Sequence, residues 1–177
     1  IGLRRGITHH AGKRRRRQFL RECADTVSLL NNHPCVCYYT IFNEGWGQFC
    51  ADMIYTAMKQ LDDTRVWDAA SGWFAERKSD VTSEHVYFKR IRLKARKNRP
   101  LVLSEFGGYS CKIEGHSFNL DKTYGYKTCA SPEEFTTDLA ALYREQIIPA
   151  IQEGLNAAVL TQLSDVEDET NGIVTYD

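Results

Sequence analysis

The chain has 177 residues, 42% of them hydrophobic and 11% aromatic, which is enough apolar material for a sizeable core and argues against disorder. Lysine plus arginine and aspartate plus glutamate both number 23, so no net charge attracts nucleic acid or an anionic membrane. Because no apolar run approaches the roughly 20 residues that cross a bilayer, we expect a cytoplasmic globular protein without a membrane partner.

Residues 1–12 hold three glycines and show no hydrophobic period, which indicates a loop or tail. The first predicted element is the helix that follows. From Lys13 to Leu30 apolar residues recur every three or four positions, which predicts an amphipathic helix that ends before Pro34. The basic run at 13–17 resembles a nucleic-acid patch when taken alone, but the neutral chain favours a solvent-exposed helix face.

A buried strand follows and ends in a carboxylate. Residues Cys35–Phe42 are apolar and β-prone, as in a strand that is covered on both faces. Asn43 and Glu44 come next, and Gly45 and Gly47 allow the backbone to turn sharply. This pattern places Glu44 at the carboxyl end of the strand, where α/β-barrel enzymes keep their catalytic residues.

The middle of the chain continues the alternation of helix and strand. Hydrophobic periodicity predicts a helix over residues 49–61 and a short strand over 66–70. Residues 80–88 form the next predicted strand, in which His85 and Tyr87 share a face because side chains alternate along a strand.

A second strand repeats the design of the first. Leu101–Leu103 are apolar, Glu105 follows at the tip, and Gly107 and Gly108 come directly after it. The segment 109–130 is polar, has no steady period and is longer than an ordinary strand-to-helix loop, which is typical of a functional loop.

One more helix and one more strand complete the chain. Ser131 begins a capping motif with proline at the first helical position, Pro149 should kink the helix, and Gly154 should end it. Residues 157–163 are a last apolar strand, and the acidic segment 164–172 follows. The alternation predicts a parallel sheet with helices packed outside it.

The six cysteines show no paired CxxC spacing, so we expect reduced and mostly packed thiols. Cys35 and Cys37 share a strand face, and we interpret them as small core side chains rather than as a metal pair. Cys111 and Cys129 flank one polar loop and would be able to form a bridge if the protein were exported.

Two glutamates on two strand ends fit the proton donor and the nucleophile of a retaining glycosidase. Such a pair divides into two roles because its environment keeps one carboxyl protonated and the other ionised. The alternative is that Glu44 and Glu105 are strand-end carboxylates satisfied by neighbouring backbone amides, but the repeated design favours the catalytic interpretation.

Three sequence blocks carry a family resemblance. They are Asn43–Glu44 at a strand tip, Ser104–Gly108 at a second tip, and residues 161–172 near the end of the chain. In this order the blocks resemble the catalytic domain of glycoside hydrolase family 2, which includes β-galactosidases, β-glucuronidases and β-mannosidases. The resemblance extends from the helix before Asn31 to Asp177.

The resemblance implies a partial (β/α)₈ TIM barrel, an α/β fold with a parallel sheet and outer helices. Residues 1–177 would form a single partial barrel domain that supplies about strands 4 to 8, with residues 1–12 as a loop or tail. The chain begins at Ile1 and stops just after a strand-like run, so we expect a piece of a longer polypeptide. The remaining barrel strands and the β-sandwich domains of the family would lie on a missing N-terminal part.

The family also implies roles for individual residues. Glu44 corresponds to the general acid/base, Glu105 to the nucleophile, and Asn43 to the residue that hydrogen-bonds the 2-hydroxyl of the sugar. Tyr87 matches a tyrosine that approaches the nucleophile, and His85 lies on the same strand face, although a lone strand histidine is more often a satisfied core residue.

Sugar-stacking walls are a further expectation. Trp46 and Trp73 follow strand tips, where they would serve either as such walls or simply as packing. Many family members carry a tryptophan where this chain has Thr161–Leu163, and Gln162 would be able to hydrogen-bond a sugar hydroxyl there. Asp165 and Glu167 would favour an amino sugar or meet the basic N-terminal segment, but a solvated acidic loop is the simpler interpretation.

The expected function is retaining hydrolysis of terminal β-glycosides, with a carbohydrate substrate, no cofactor and no metal. The alternatives are a non-catalytic carbohydrate-binding barrel fragment and a structural half-barrel that self-associates. Because five strands cannot close a barrel, we expect the chain to pair with a second copy, as a homodimer, or with the missing N-terminal half. No nucleic-acid partner is expected.

Overall fold

The computed structural model describes residues 12–45, 47–93 and 98–177. They divide into two compact units, one drawn from the described part of residues 1–83 and 96–100 and the other from the described part of residues 84–95 and 101–177. The predicted tail lies outside the described residues except for Gly12, and so does Trp46.

The first unit contains two helices and a pair of parallel strands. Helix α1 spans Lys13–Leu30 and strand β1 spans Tyr38–Thr40, while helix α2 spans Ala51–Leu61 and strand β2 spans Val66–Asp68. Tyr38 lies opposite Val66 in the β1–β2 register. Both helices were predicted from their hydrophobic period, and both are confirmed.

An aromatic cluster holds α1 and α2 against β1 and β2. Phe19 of α1 stacks on Phe42 with ring centroids 5.1 Å apart, and Tyr39 of β1 stacks on Trp67 of β2 at 4.5 Å. The Trp67 indole N–H donates to the Asp62 carbonyl oxygen at 2.8 Å, so the buried ring has its polar atom satisfied. The buried residues of this core are Val27, Phe42, Ala51, Ile54, Met58, Trp67 and Ala70.

The strand that carries Glu44 is shorter and less buried than its sequence predicts. The His33 amide donates to the Leu30 carbonyl and the Val36 amide to the His33 carbonyl, which forms one turn before Pro34 and a second turn that contains it. The chain therefore enters the sheet only at Tyr38, and Cys35 and Cys37 lie in the exposed approach. The prediction that these two cysteines pack in the core is wrong.

The second unit is built around a three-stranded sheet. Strand β3 spans Thr82–Val86, its first two residues belonging to the first unit, and strand β4 spans Leu101–Gly107. Strand β5 spans Tyr109–Cys111, strand β6 spans Lys127–Cys129 and strand β7 spans Leu155–Thr161. Strand β4 lies between β3 and β7 and is parallel to β7, while β5 and β6 form a separate parallel pair.

One interrupted helix packs against this sheet. Helix α3 spans Pro132–Leu142, a π-helical turn spans Tyr143–Ile147, and helix α4 spans Ile148–Gln152. Ser131 caps α3 by accepting a hydrogen bond from the Glu134 amide, as the sequence predicts. The expected irregularity near Pro149 is the π-helical turn directly before it, since proline has no N–H for a regular helix. The buried core consists of Val86, Leu101, Leu103, Phe106, Leu142, Ile147, Ala150 and Leu155.

The observed architecture is a mixed α/β arrangement with parallel strand pairs, in agreement with the predicted class. Across the described ranges the sheets have two, three and two strands, and none of them closes into a barrel. No helix in these ranges is both long and apolar enough to span a bilayer.

All six cysteines are free, but only Cys129 is buried. Cys111 lies directly opposite Cys129 in the β5–β6 register. Neighbouring strands are about 4.8 Å apart, which is within the range of about 4.4–6.8 Å between the Cα atoms of a disulfide. Burial raises the pKa of the Cys111 thiol, and burial together with the Asp138 carboxylate raises the pKa of Cys129 to about 11.

We predict that oxidised glutathione links Cys111 to Cys129, with two thiols losing two protons and two electrons as one glutathione disulfide becomes two glutathione thiols. The thiolate is the reacting form, so the raised pKa values make cross-linking slower at pH 7 than at pH 9. Non-reduced peptide mapping measures it in a chain whose exposed Cys35, Cys37 and Cys50 are replaced by serine. Recovery of only glutathione adducts at both positions would contradict the prediction.

Candidate functional site

Asn43 and Glu44 extend the first parallel sheet beyond the end of β1. Asn43 forms a parallel bridge with Ser71. The Glu44 amide donates to the Ser71 carbonyl at 3.0 Å, and the Ser71 amide donates to the Phe42 carbonyl at 2.8 Å. The Ser71 hydroxyl donates to the Asn43 side-chain oxygen at 2.5 Å. The side chain of Asn43 is thereby oriented at the carboxyl end of the strand, as the sequence predicts.

The backbone at Glu44 has an unusual conformation. Its φ angle is +54°, in the left-handed region that non-glycine residues rarely adopt, and Gly45 follows with φ +80°. A Cβ atom on Gly45 would lie 2.4 Å from the Phe74 ring, so the chain needs glycine at this position. Strained residues of this kind cluster at functional sites, where the surrounding hydrogen bonds hold them in place.

Aromatic side chains lie near this turn within the first unit. Trp73 is 57% exposed, and the Phe74 carbonyl accepts a hydrogen bond from the Gln48 side chain at 3.3 Å. The Gln48 amide also donates to the Glu76 carboxylate. More than half of the Trp73 side chain is thus exposed, while Trp46, the other predicted stacking residue, lies outside the described residues.

Glu105 is located near the end of β4, the middle strand of the three-stranded sheet. Leu103 and Phe106 on either side are completely buried, whereas the Glu105 side chain is 30% exposed. The Tyr87 hydroxyl donates a hydrogen bond to Glu105 Oε2, and His85 Nδ1 lies 3.4 Å from the same oxygen. Two residues predicted from the sequence, Tyr87 and His85, thus converge on the carboxylate of a third.

The period of the strand explains this convergence. His85 belongs to β3, and Tyr87 follows directly after the end of this strand. Because side chains alternate along a strand, the two lie on the same face of the sheet, next to strand β4. His85 has no exposed side-chain surface, as a core histidine would, yet it contacts Glu105 as well. The burial agrees with the interpretation of His85 as a core residue, and its role as a substrate-binding residue stays a prediction.

Tyr87 is a dependable hydrogen-bond donor to this carboxylate. Burial and the hydrogen bond to Glu105 raise the pKa of the Tyr87 phenol above its ordinary value. The phenol consequently keeps its proton throughout the neutral pH range. Thr161 Oγ1, at the end of β7, lies 3.0 Å from the same hydroxyl oxygen and brings a third strand to the site.

The residue that sequence reasoning missed here is Tyr126. Its ring stacks on Tyr87, with centroids 3.9 Å apart and an interplanar angle of 15°. The available sequence signal was the long aromatic-containing loop between Gly108 and β6, which indicates function without identifying a residue.

Gln162 is hydrogen-bonded to the acidic segment that follows it. The Gln162 side-chain amide donates to Asn171 at 2.7 Å and to Glu169 at 3.2 Å, so its amide group is engaged within its own segment. Asp165 is 3% exposed and accepts a hydrogen bond from the Gly172 amide, and burial raises the pKa of its carboxyl. The expectation of a solvated loop is wrong for Asp165, although Glu167 is exposed.

Two solved structures are similar to this chain. A β-glucuronidase from Faecalibacterium prausnitzii is 16% identical and aligns with a TM-score of 0.58 over 89% of this chain and 31% of its own. An FMN-binding β-glucuronidase from F. prausnitzii L2-6 is 21% identical, with a TM-score of 0.60 over 93% of this chain and 29% of its own. The fold is therefore like that of these glycosidases, and the chain spans about three tenths of their length. No family model and no curated sequence matches it.

The packing of the two rings depends on Gly108, and this yields a stability prediction. A Cβ atom there would lie 2.3 Å from the Tyr126 ring and 3.2 Å from the Tyr87 ring, whereas Gly115 has open space at a similarly positive φ. Both Gly108→Ala and Gly115→Ala incur the backbone cost of about 1–2 kcal/mol, and Gly108→Ala should lose about 1–3 kcal/mol more through overpacking. Urea unfolding measures both variants, and equal losses would show that the rings move aside freely.

Proposed function

We propose that this chain is the part of a retaining β-glycoside hydrolase, of the family 2 type, that carries both catalytic glutamates. The observation that supports this best is the Glu105 carboxylate at the end of a buried strand, with Tyr87 and His85 at one of its oxygens. The similarity in fold to two β-glucuronidases supports the same class of reaction. The barrel of which this chain would form about strands 4 to 8 is part of the proposal.

Glu105 acts as the nucleophile. A glycosidase nucleophile must be ionised and held still, and a neutral phenol that donates a hydrogen bond provides the second condition. The carboxylate attacks the anomeric carbon and forms a covalent glycosyl ester as the glycosidic C–O bond breaks. His85 and Tyr87 fix the position of the attacking oxygen.

Glu44 acts as the general acid and then as the general base. It gives its proton to the departing glycosidic oxygen, and then takes a proton from the water that hydrolyses the ester. Such a double displacement requires the two carboxyl groups to approach to about 5–5.5 Å. It uses neither a metal nor a cofactor.

The substrate class is a terminal β-glycoside such as a β-galactoside or β-glucuronide. Asn43 binds the 2-hydroxyl of the sugar, and the exposed ring of Trp73 serves as a stacking wall, with Trp46 in the same role. Gln162 contributes a sugar contact through its carbonyl oxygen, since its amide nitrogen already serves Asn171 and Glu169.

We predict that Glu105→Gln abolishes turnover in the full-length protein, because an amide is far less nucleophilic than a carboxylate. Aryl β-galactoside, β-glucuronide, β-mannoside, β-glucoside and β-glucosaminide identify the active sugar first. A 2-fluoroglycoside of that sugar should then label Glu105, as peptide mass spectrometry detects. Glu114→Gln, a change at an exposed glutamate of the same unit, is the control and should retain activity.

The nucleophile assignment is lost if Glu105→Gln keeps its kcat or if another residue carries the label. Saturable sugar binding without turnover or label would support a non-catalytic carbohydrate-binding module instead.

Glu44→Gln should show the leaving-group signature of a missing proton donor. We expect a loss of about 10²–10⁴-fold in kcat for poor alkyl leaving groups, which need protonation. Formation of the glycosyl ester from an activated dinitrophenyl glycoside should be nearly unaffected in a rapid-mixing experiment. An equal loss for both leaving groups would exclude Glu44 as the acid.

A further inference from the structure

We infer that Tyr126 is a positioning residue for the proposed reaction, because it fixes the ring of Tyr87 and thereby the hydrogen bond that Tyr87 donates to Glu105. The inference rests on the proposed function for its kinetic consequence. Its structural basis is the packing within the second unit. This packing gives the segment between β5 and β6 a role in orienting Glu105, the candidate nucleophile.

The contact between the two rings is a close parallel stack. Their centroids are 3.9 Å apart with 15° between the planes, which is shorter than the separation of about 4.5–7 Å usual for aromatic pairs. Phe88 adds an edge contact to Tyr126, with centroids 4.7 Å apart and 82° between the planes. Tyr126 is thus held between the two residues that follow β3.

The backbone of the same segment fixes Tyr126 in turn. Its amide donates to the Gly108 carbonyl at 2.9 Å, and the Ser110 hydroxyl donates to the Tyr124 carbonyl at 3.1 Å. A Cβ atom on Gly125 would lie 1.6 Å from Ser110 Oγ, so the two chain segments approach as closely as glycine allows. Gly108 leaves the space that both rings occupy, since a Cβ atom there would collide with Tyr126.

Tyr87 needs this support because of its place in the fold. It lies one residue beyond the end of β3, and the next side chain, Phe88, is 79% exposed. Tyr87 itself thus lies outside the regular strand, and rotation about its two side-chain torsions would move the hydroxyl away from Glu105. The Tyr126 ring blocks this rotation on one face of Tyr87. At the hydroxyl end of Tyr87, Thr161 Oγ1 lies 3.0 Å from the hydroxyl oxygen.

The kinetic test compares Tyr126→Leu with Tyr126→Phe in the full-length protein, alone and combined with Tyr87→Phe. Leucine removes the stack, and misplacing a catalytic group by about 1 Å costs roughly 10²-fold. We expect Tyr126→Leu to lower kcat for ester formation about 10–100-fold with KM little changed. Tyr126→Phe keeps the ring and should stay within a few-fold of the unmodified protein. The matched control is Phe118→Leu, which removes a 64% exposed aromatic ring of the same segment.

The double variant distinguishes positioning from direct contact with substrate. If Tyr126 acts through Tyr87, the change Tyr126→Leu should cost little more once Tyr87→Phe has removed the hydroxyl. An undiminished loss in the Tyr87→Phe background, or a large rise in KM, would overturn the inference and indicate that Tyr126 touches the sugar.

A second readout does not depend on activity. Fluorine NMR of protein labelled with 3-fluorotyrosine observes the Tyr87 ring, whose resonance is assigned by its loss in Tyr87→Phe. Because the stacked Tyr126 ring holds Tyr87 in one orientation, Tyr126→Leu should broaden or split the Tyr87 resonance, while Phe118→Leu should leave it unchanged. A Tyr87 resonance as sharp and single in Tyr126→Leu as in the unmodified protein would overturn the inference. Failure of Glu105→Gln to abolish turnover would overturn the proposed function alone.

Discussion

The hydrogen bond from Tyr87 to Glu105 is the interaction on which the second unit depends. Strand β4 is buried at Leu103 and Phe106, so a carboxylate between them loses much of its hydration. A charged acceptor left without donors in such a place costs more than the roughly 1–3 kcal/mol of a neutral group. The pairing of β3 with β4 meets this need, because it brings Tyr87 and His85 to the Glu105 carboxylate.

Glycines make this arrangement possible in two different ways. Gly107 has φ +91°, and a Cβ atom there would lie 2.6 Å from the Leu160 side chain. Glycine therefore lets the end of β4 pack closely against Leu160 of β7. Gly108 instead makes room for the stacked rings that orient the donor. At the other glutamate, Gly45 makes room for Phe74, while Glu44 itself takes the left-handed backbone conformation. The strand–carboxylate–glycine pattern thus meets a separate steric demand at each position.

The parts of the site that follow from local periodicity could be predicted from the sequence. His85 and Tyr87 share a face because strand side chains alternate, and the carboxylates at strand ends follow from apolar runs that stop at glycine. Tyr126 could not be found this way, since its position depends on the pairing of β5 with β6 across a loop without periodicity. Asp165 is a similar case, because its burial depends on Gly172, seven residues later, folding back to donate to its carboxylate.

The fold shows the same division between local and long-range information. Helix α1 could be predicted from hydrophobic spacing and the cap of α3 from one capping motif. The length of β1 was overestimated, because two successive turns at residues 30–36 delay the entry of the chain into the sheet until Tyr38. Strand β7 raises a further physical point. Parallel strands are usually covered on both faces, yet β7 is exposed along most of its length, and Val159 is 55% exposed. An element packed on this face would bury the remaining surface of Val159, which is worth roughly half of the about 1.5–3 kcal/mol of full burial.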